Sequence, residues 1–277
     1  MLHSLAESLK AQFERAASMT RDRWRLIPRP QSQIRTCANA LVAALLAPAC
    51  AVCNVLLDSP IDGCVCKNCW RSILPITPPL CDRCGDPLPR PAASCANCSG
   101  TSPAISRARA IGEYEGALRE IIHALKYSGR HSLARPLAEL MRRRGHELLD
   151  DIDCVVPVPL HWRREFRRGF NQALEIARHL GPPVVDMVVR RRATRPQVEL
   201  AEDRRRANVA GAFRVRRGWF GARIIQGKKL LLIDDVSTTG ATLESCACVL
   251  KECGASEVFA LTAARVVTRR ARVSSNL

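Results

Sequence analysis

The chain has 277 residues, 47% hydrophobic and 25% charged, enough apolar material for one large or two smaller globular domains and unlike a fibrous or disordered chain. Its 43 Lys and Arg outnumber 26 Asp and Glu to leave +17, a balance that points to a polyanionic or phosphorylated partner. No run approaches the roughly 18 consecutive apolar residues a membrane helix needs, so a soluble protein with no membrane span is expected.

Residues 1–49 carry a charge excess of +4 and read as a basic, partly helical N-terminal extension. Leu2, Leu5, Leu9 and Phe13 have helical spacing, and a basic stretch with two prolines follows from Arg21 to Arg35. The apolar run Leu41 to Ala49 leads into Ala-Pro-Ala-Cys, but it begins too far into the chain for a secretory leader.

Of the 14 cysteines, ten lie between Cys37 and Cys98, and eight of these form four Cys-x-x-Cys pairs. The order is Cys50-x2-Cys53-x12-Cys66-x2-Cys69, then eleven residues, then Cys81-x2-Cys84-x10-Cys95-x2-Cys98. Each pair sets two sulfurs on one side of a tight knuckle, and two knuckles complete a tetrahedron suited to Zn2+. Two structural zinc ions are expected, with no open coordination position for catalysis. Four repeated pairs exceed what one redox centre needs, so a reduced, cytoplasmic, metal-binding protein fits better than a disulfide scaffold. Sequential pairing is favoured by the short loops, an interleaved cross-brace stays open, and Cys64 is a competing ligand. The residues from 50 to 103 cannot bury much apolar area and form a small double zinc-ribbon module. Its other charges cancel, so it suits docking better than phosphate binding.

Residues 104–277 read as alternating helices and strands. Helical spacing covers Leu118 to Leu125, Leu133 to Leu149, Asn171 to Leu180 and Leu243 to Cys253, and buried strands are expected at Cys154–Val158, Val184–Val189, Leu230–Ile233 and Val258–Thr262. Such alternation predicts an α/β fold with a mainly parallel sheet flanked by helices.

The most informative stretch is LLLIDDVSTTGATL, Leu230 to Leu243. A buried strand ends in two carboxylates and a short loop opens a helix. Thr238, Thr239, Gly240 and Thr242 can offer hydroxyls and backbone N–H groups to a phosphate at the positive helix end, with Val236 and Ser237 leading into the loop. Asp234 and Asp235 sit where a sheet ends, suited to vicinal sugar hydroxyls, and together these features suggest a ribose 5-phosphate. The stretch resembles the phosphoribosyl pyrophosphate signature of type I phosphoribosyltransferases. With the preceding double ribbon and the segments EYEGALREIIHALKYSGR, VVPVPLHWRREFRRGFNQALEIA and RRATRPQVELAEDRRRANVAGAF, the chain resembles the ComF/GntX family from about residue 40 to 265.

That resemblance implies a type I phosphoribosyltransferase-like domain and a link to competence, the uptake of external DNA. It puts Asp234 and Asp235 on the ribose hydroxyls as the catalytic pair, and Val236, Ser237, Thr238, Thr239, Gly240 and Thr242 around the 5-phosphate. It makes Arg163, Arg164, Arg168 and Asn171 candidate pyrophosphate ligands, and Gln197, Arg205 and Asn208 part of a hood over the acceptor. Mg2+ is expected to arrive largely on the substrate.

Blander readings stand beside these. The arginine clusters at 142–144, 190–192 and 204–206 are either a single-stranded DNA surface or ordinary solvated faces. Trp162, Phe166 and Phe170 are stacking platforms or packing groups. His123, His131 and His161 lack metal spacing, and Cys154, Cys246, Cys248 and Cys253 fit buried apolar faces. Two functions remain. One is an enzyme that transfers ribose phosphate to an unidentified nucleophile with release of pyrophosphate. The other is a non-catalytic nucleotide-sensing adaptor whose zinc module docks a helicase-type partner of DNA uptake.

Overall fold

The computed structural model describes residues 30–99, 103–191, 211–216 and 221–267. The expected helix around Leu2 to Phe13, the Arg204–Arg206 cluster, and Gln197, Arg205 and Asn208 lie outside the described residues. The described residues fall into two compact units, 30–50 with 54–64, and 51–53 with 65–267.

In the first unit, helix α1 (Pro30–Leu46) starts on a proline, whose missing N–H costs nothing at a helix start. It stops where Ala47 enters the left-handed region at φ 42, just before Pro48. The apolar residues from Leu41 onward are therefore the last turns of a 17-residue helix. Buried Asn39 accepts a hydrogen bond from the Ile61 N–H at 2.9 Å, and Arg35 pairs with Asp62, which holds the short turn Pro60–Asp62 to the helix.

The second unit contains strands β1 (Arg107–Ala110), β2 (Cys154–Pro157), β3 (Val188–Arg190), β4 (Phe213–Val215), β5 (Lys229–Ser237) and β6 (Glu257–Arg265). Its helices are α2 (Lys67–Arg71), α3 (Gly116–Tyr127), α4 (Ala134–Arg144), α5 (Trp162–Arg168), α6 (Gln172–Ala177), α7 (Gly221–Ile225) and α8 (Ala241–Glu252). Four strands pair in the order β1-β6-β5-β2, every neighbour parallel, as expected from the alternation of elements. The run Leu230–Ile233 is fully buried because both faces of a parallel sheet are covered. Leu230 and Leu232 pack with Leu243, Cys246, Ala247 and Leu250 of α8. Leu231 and Ile233 point the other way by the strand's period of two, the side on which α6 lies against β2 and β5 and α4 against β6.

Two expected elements differ. Val184–Val189 is not a strand of the main sheet: Val184 makes one isolated bridge to Val155, after which Val188–Arg190 pairs antiparallel with Phe213–Val215 in a separate two-stranded sheet. The preceding Pro182 and Pro183 lack N–H groups and cannot sustain a ladder. The expected helix Leu133–Leu149 breaks at Gly145, where a Cβ would meet the Leu261 side chain at 2.6 Å, and resumes only as the turn His146–Leu148.

β5 outruns β2, since Pro157 pairs with Ile233, while β6 continues beside β5 through Ser237↔Arg265. The residues Asp234 to Ser237 therefore project past the end of β2, where open parallel sheets form their ligand crevice.

Candidate functional site

The eight knuckle cysteines converge in two sets. The thiols of Cys50, Cys53, Cys66 and Cys69 lie within 4.8 Å of one another, and so do those of Cys81, Cys84, Cys95 and Cys98. Pairing is sequential, which removes the interleaved alternative, and Cys64 belongs to neither set. Four sulfurs about 2.3 Å from one zinc stand about 3.8 Å apart at the edges of a tetrahedron. Cys53 and Cys66 are 3.8 Å apart through sulfur, Cys84 and Cys95 3.6 Å. The donor sets fit two closed zinc sites, with neither carboxylate nor water position. Burial pushes the Cys98 thiol up to about 11 and Cys84 further still, so zinc must displace protons there. Cys81 goes the other way, to about 7; burial opposes its ionisation, but the N–H groups of Cys84, Cys95 and Arg83 outweigh it.

The third knuckle, Cys81-x2-Cys84, is joined to the sheet. Arg265, at the end of β6, donates to the Asp86 carboxylate and to the Cys84 carbonyl at 3.0 Å. Arg109 of β1 donates to the Asp82 carbonyl at 3.0 Å and pairs with Glu147 at 2.9 Å. At Gly85 an added Cβ would stand 2.8 Å from the Ala108 carbonyl, so glycine permits the approach.

At the far end of β5 lies an open cleft lined by Asp234, Val236, Ser237, Thr238, Gly240, Thr242 and Leu243. Gly240 adopts φ 77 and starts α8, and with Thr242 and Leu243 it puts the first turn of that helix, where N–H groups lack helical partners, at the wall of the cleft. Nothing lies within 4 Å of where its Cβ would be, so the left-handed backbone, not crowding, calls for glycine. Ser237 is buried, and its Oγ and the Oγ1 of Thr239 are shielded from solvent without a hydrogen-bond partner in the protein. Two orphaned hydroxyls beside a helix N-terminus suit an anion's oxygens.

The adjacent aspartates separate. Asp234 lines the cleft; Asp235, one strand position on, is 4% exposed and lies 2.9 Å from the Lys126 ammonium at the end of α3. The Asp235 N–H donates to Asp234 Oδ1 at 2.8 Å. Burial and the neighbouring Asp235 carboxylate push Asp234 up to about 7, against the pull of Lys126 and Arg190.

Two cations here are not legible in the sequence. Lys126 is embedded in an amphipathic helical pattern, where a lysine near the last turn looks like ordinary dipole compensation. Arg190 reads there as part of a cluster that is either a DNA surface or a solvated face; it is half-buried, stacks on Phe213 at 5.3 Å and lies near enough to Asp234 and Arg164 for their charges to act on it.

The candidate pyrophosphate residues divide. Arg163 is exposed over the Trp162 ring at 5.2 Å, and Arg164 is half-buried. Arg168 donates to Gln172 at 2.6 Å and stacks on Tyr127 at 5.0 Å. Asn171 is buried with both ends of its amide occupied, donating to the Val158 carbonyl at 3.1 Å and accepting from the Ala173 N–H at 3.0 Å. It caps α6 and has little left for a ligand. His161 likewise accepts from the Arg163 N–H at the start of α5, and burial with Arg190, Arg163 and Arg164 lowers its proton affinity. Trp162 and Phe166 are 61% and 89% exposed, whereas Phe170 is buried against His131. Cys154 and Cys246 are buried as expected, but Cys248 is exposed on the outer face of α8.

Residues 41–99 match the double zinc ribbon domain, and residues 166–276 the phosphoribosyl transferase domain. The chain is thus a double zinc ribbon followed by a phosphoribosyltransferase-like α/β domain. It is 33% identical over 219 residues to DNA utilization protein YhgH of Salmonella typhimurium, covering 76% of this chain and 93% of that one. It is 31% identical over 222 residues to competence protein F of Haemophilus influenzae, with the same coverages. To competence protein ComFC of Bacillus subtilis it is 27% identical over 214 residues, 74% of this chain and 85% of that one. The chain belongs to the ComF family. Among solved structures, glutamine phosphoribosylpyrophosphate amidotransferase from B. subtilis superposes with a TM-score of 0.32 at 21% identity, over 48% of this chain and 26% of that one. No helix among the described residues is long and apolar enough to cross a membrane.

Proposed function

We propose that the cleft at the end of β5 binds phosphoribosyl pyrophosphate with Mg2+, and that the protein transfers ribose 5-phosphate to a nucleophile with release of pyrophosphate. The observation that carries this reading is the pair of orphaned hydroxyls, Ser237 Oγ and Thr239 Oγ1, beside the N-terminus of α8. In this reading Thr238, Gly240 and Thr242 complete the 5-phosphate cradle and Asp234 accepts from the ribose hydroxyls. Asp235 supports Asp234 from the opposite face of the strand. Arg163, Arg164 and Arg168 neutralise the diphosphate, and Asn171 fixes the turn that carries them.

The donor set suits a magnesium ion brought by the substrate, because Asp234 is the one carboxylate among the described residues that line the cleft and Mg2+ keeps most of its shell as water and phosphate oxygens. When bound, the ion would neutralise charge on the departing diphosphate. The bond from ribose C1 to the pyrophosphate oxygen breaks with its electron pair leaving on pyrophosphate, and the nucleophile's lone pair forms the new bond to C1. The protein's part is positioning and charge compensation by Arg163, Arg164, Arg168 and Arg190.

On the same reading, 50–103 is the ribbon module, 104–277 the transferase-like domain and 1–49 an extension. Reduced thiols in both tetrads fit a cytoplasmic setting. A second reading, a non-catalytic adaptor of DNA uptake that touches single-stranded DNA and a helicase-type partner, draws on the names of the relatives and on exposed Trp162 and Phe166 among the arginines of α5.

Calorimetric titration with phosphoribosyl pyrophosphate and Mg2+, with ribose 5-phosphate and a short single-stranded DNA as parallel ligands, tests both. Saturable Mg-dependent binding that disappears in the Asp234→Asn, Asp235→Asn double variant is the expected result. Unchanged affinity in that variant overturns the site, and binding of DNA alone turns the reading to the adaptor.

A further inference from the structure

The last residue of β6, Arg265, stands across the ladder from Ser237, the last residue of β5, and the Val266 N–H donates to the Ser237 carbonyl at 2.9 Å. On its other side the Arg265 N–H donates to the Gly112 carbonyl at 3.0 Å, and its carbonyl accepts from the Tyr114 N–H at 2.7 Å. Backbone from β5, β6 and the turn after β1 therefore meets at this residue. The side chain goes elsewhere, to the third cysteine knuckle: Nε donates to the Asp86 carboxylate and Nη1 to the Cys84 carbonyl at 3.0 Å. It is 8% exposed there, and Asp86 28%. Cys84 is a member of the second tetrad, and Ser237 lines the cleft with a shielded hydroxyl that has no partner in the protein. Arg265 thus touches the knuckle with its side chain and Ser237 with its strand.

We infer that Arg265 is a positioning residue of the cleft, through which the folded second tetrad holds the backbone of Ser237 in place at the entry to the phosphate loop. A guanidinium this deep needs its carboxylate partner. With Asp86 withdrawn it keeps the Cys84 carbonyl but loses its compensating charge, and the strand end that carries it is drawn toward water. The bond from Val266 to the Ser237 carbonyl lies one residue on and yields with it. Arg109 offers the contrast within the same knuckle: it donates to the Asp82 carbonyl at 3.0 Å from β1, but β1 pairs with β6 only as far as Thr262 and does not border β5. Loosening the knuckle from Arg109 therefore leaves the Ser237 end alone. Coupling between sites is reciprocal, so a ligand that orders the phosphate loop also tightens zinc in the second tetrad. The nature of that ligand rests on the function proposed above; the link from Asp86 through Arg265 to Ser237 does not.

The test is amide hydrogen exchange of full-length, zinc-loaded protein without ligand, followed over residues 235–238 and 264–266. Asp86→Ala, a change in the ribbon that leaves both strands unaltered, should speed exchange in both stretches about tenfold. Arg109→Gln, which loosens the same knuckle from β1, should leave them at the rate of the unaltered chain. Unchanged exchange in Asp86→Ala overturns the inference, and so does an equal rise in Arg109→Gln, which would make the effect a general loosening. If Asp86→Ala does not fold, judged by thermal melting and zinc content, the comparison passes to Asp86→Asn, with the same required difference from Arg109→Gln. Ribose 5-phosphate and Mg-phosphoribosyl pyrophosphate are titrated alongside: Asp86→Ala should weaken both about fivefold, and either ligand at saturation should make zinc harder to withdraw from Cys81, Cys84, Cys95 and Cys98 in the unaltered chain. No binding of either by the unaltered chain would count against the proposed function, and the exchange comparison would still decide the role of Arg265.

Discussion

Asp234 illustrates how a site residue trades stability for function. Its folded carboxyl titrates near 7 through burial and the neighbouring Asp235 charge, against 3.8 for the ordinary group. The folded state therefore binds more protons than the unfolded chain between those values, and stability from this group is present below about pH 4 and lost as pH rises toward 7. Asp234→Asn should accordingly melt higher than the unaltered protein at pH 8, and the gap should shrink toward pH 5.5, by on the order of 1 kcal/mol per pH unit. Equal melting differences at the two pH values would refute the raised carboxyl. Asn171 makes the opposite case, a residue of structural value beside the site. Loss of its cap and of its bond to the Val158 carbonyl in Asn171→Ala should cost about 1–2 kcal/mol by denaturant unfolding. Arg164→Ala should weaken Mg-phosphoribosyl pyrophosphate binding in the same calorimetric titration.

At the scale of elements, the long central strand was legible because Leu230–Ile233 is an unbroken apolar run, and α8 because a glycine and a helical pattern follow it. Val184–Val189 looked the same locally, yet it holds the sheet by a single bridge, since an edge position and two prolines are decided outside the run itself. β1, Arg-Ala-Arg-Ala, carries almost no apolar signal and exists because it pairs along β6 and takes the third cysteine knuckle through Arg109. Arg265 performs the same service from the other strand. Arg265→Gln should retain zinc at Cys50, Cys53, Cys66 and Cys69 but lose it more readily from Cys81, Cys84, Cys95 and Cys98 to a competing chelator. Metal analysis of the reduced protein should begin from two zinc ions per chain; release at equal rates from both sites would remove Arg265 from that role.

Across the whole chain, the order of the parts could be read directly: four cysteine knuckles, a parallel α/β domain, a phosphate loop at a strand end. Those features are local, written in spacings of a few residues, and the chemistry of each follows from residue type and backbone geometry. Tertiary structure decided what depends on groups distant in sequence. It chose sequential pairing of the knuckles, because the thiols of each set come within 4.8 Å. It brought Lys126 from α3 to Asp235 and Arg190 from β3 toward Asp234, and it turned Asn171 inward to hold α6. The strand's period of two already required the two aspartates to face opposite ways, but only the placing of Lys126 on one side and the cleft on the other gave them different partners.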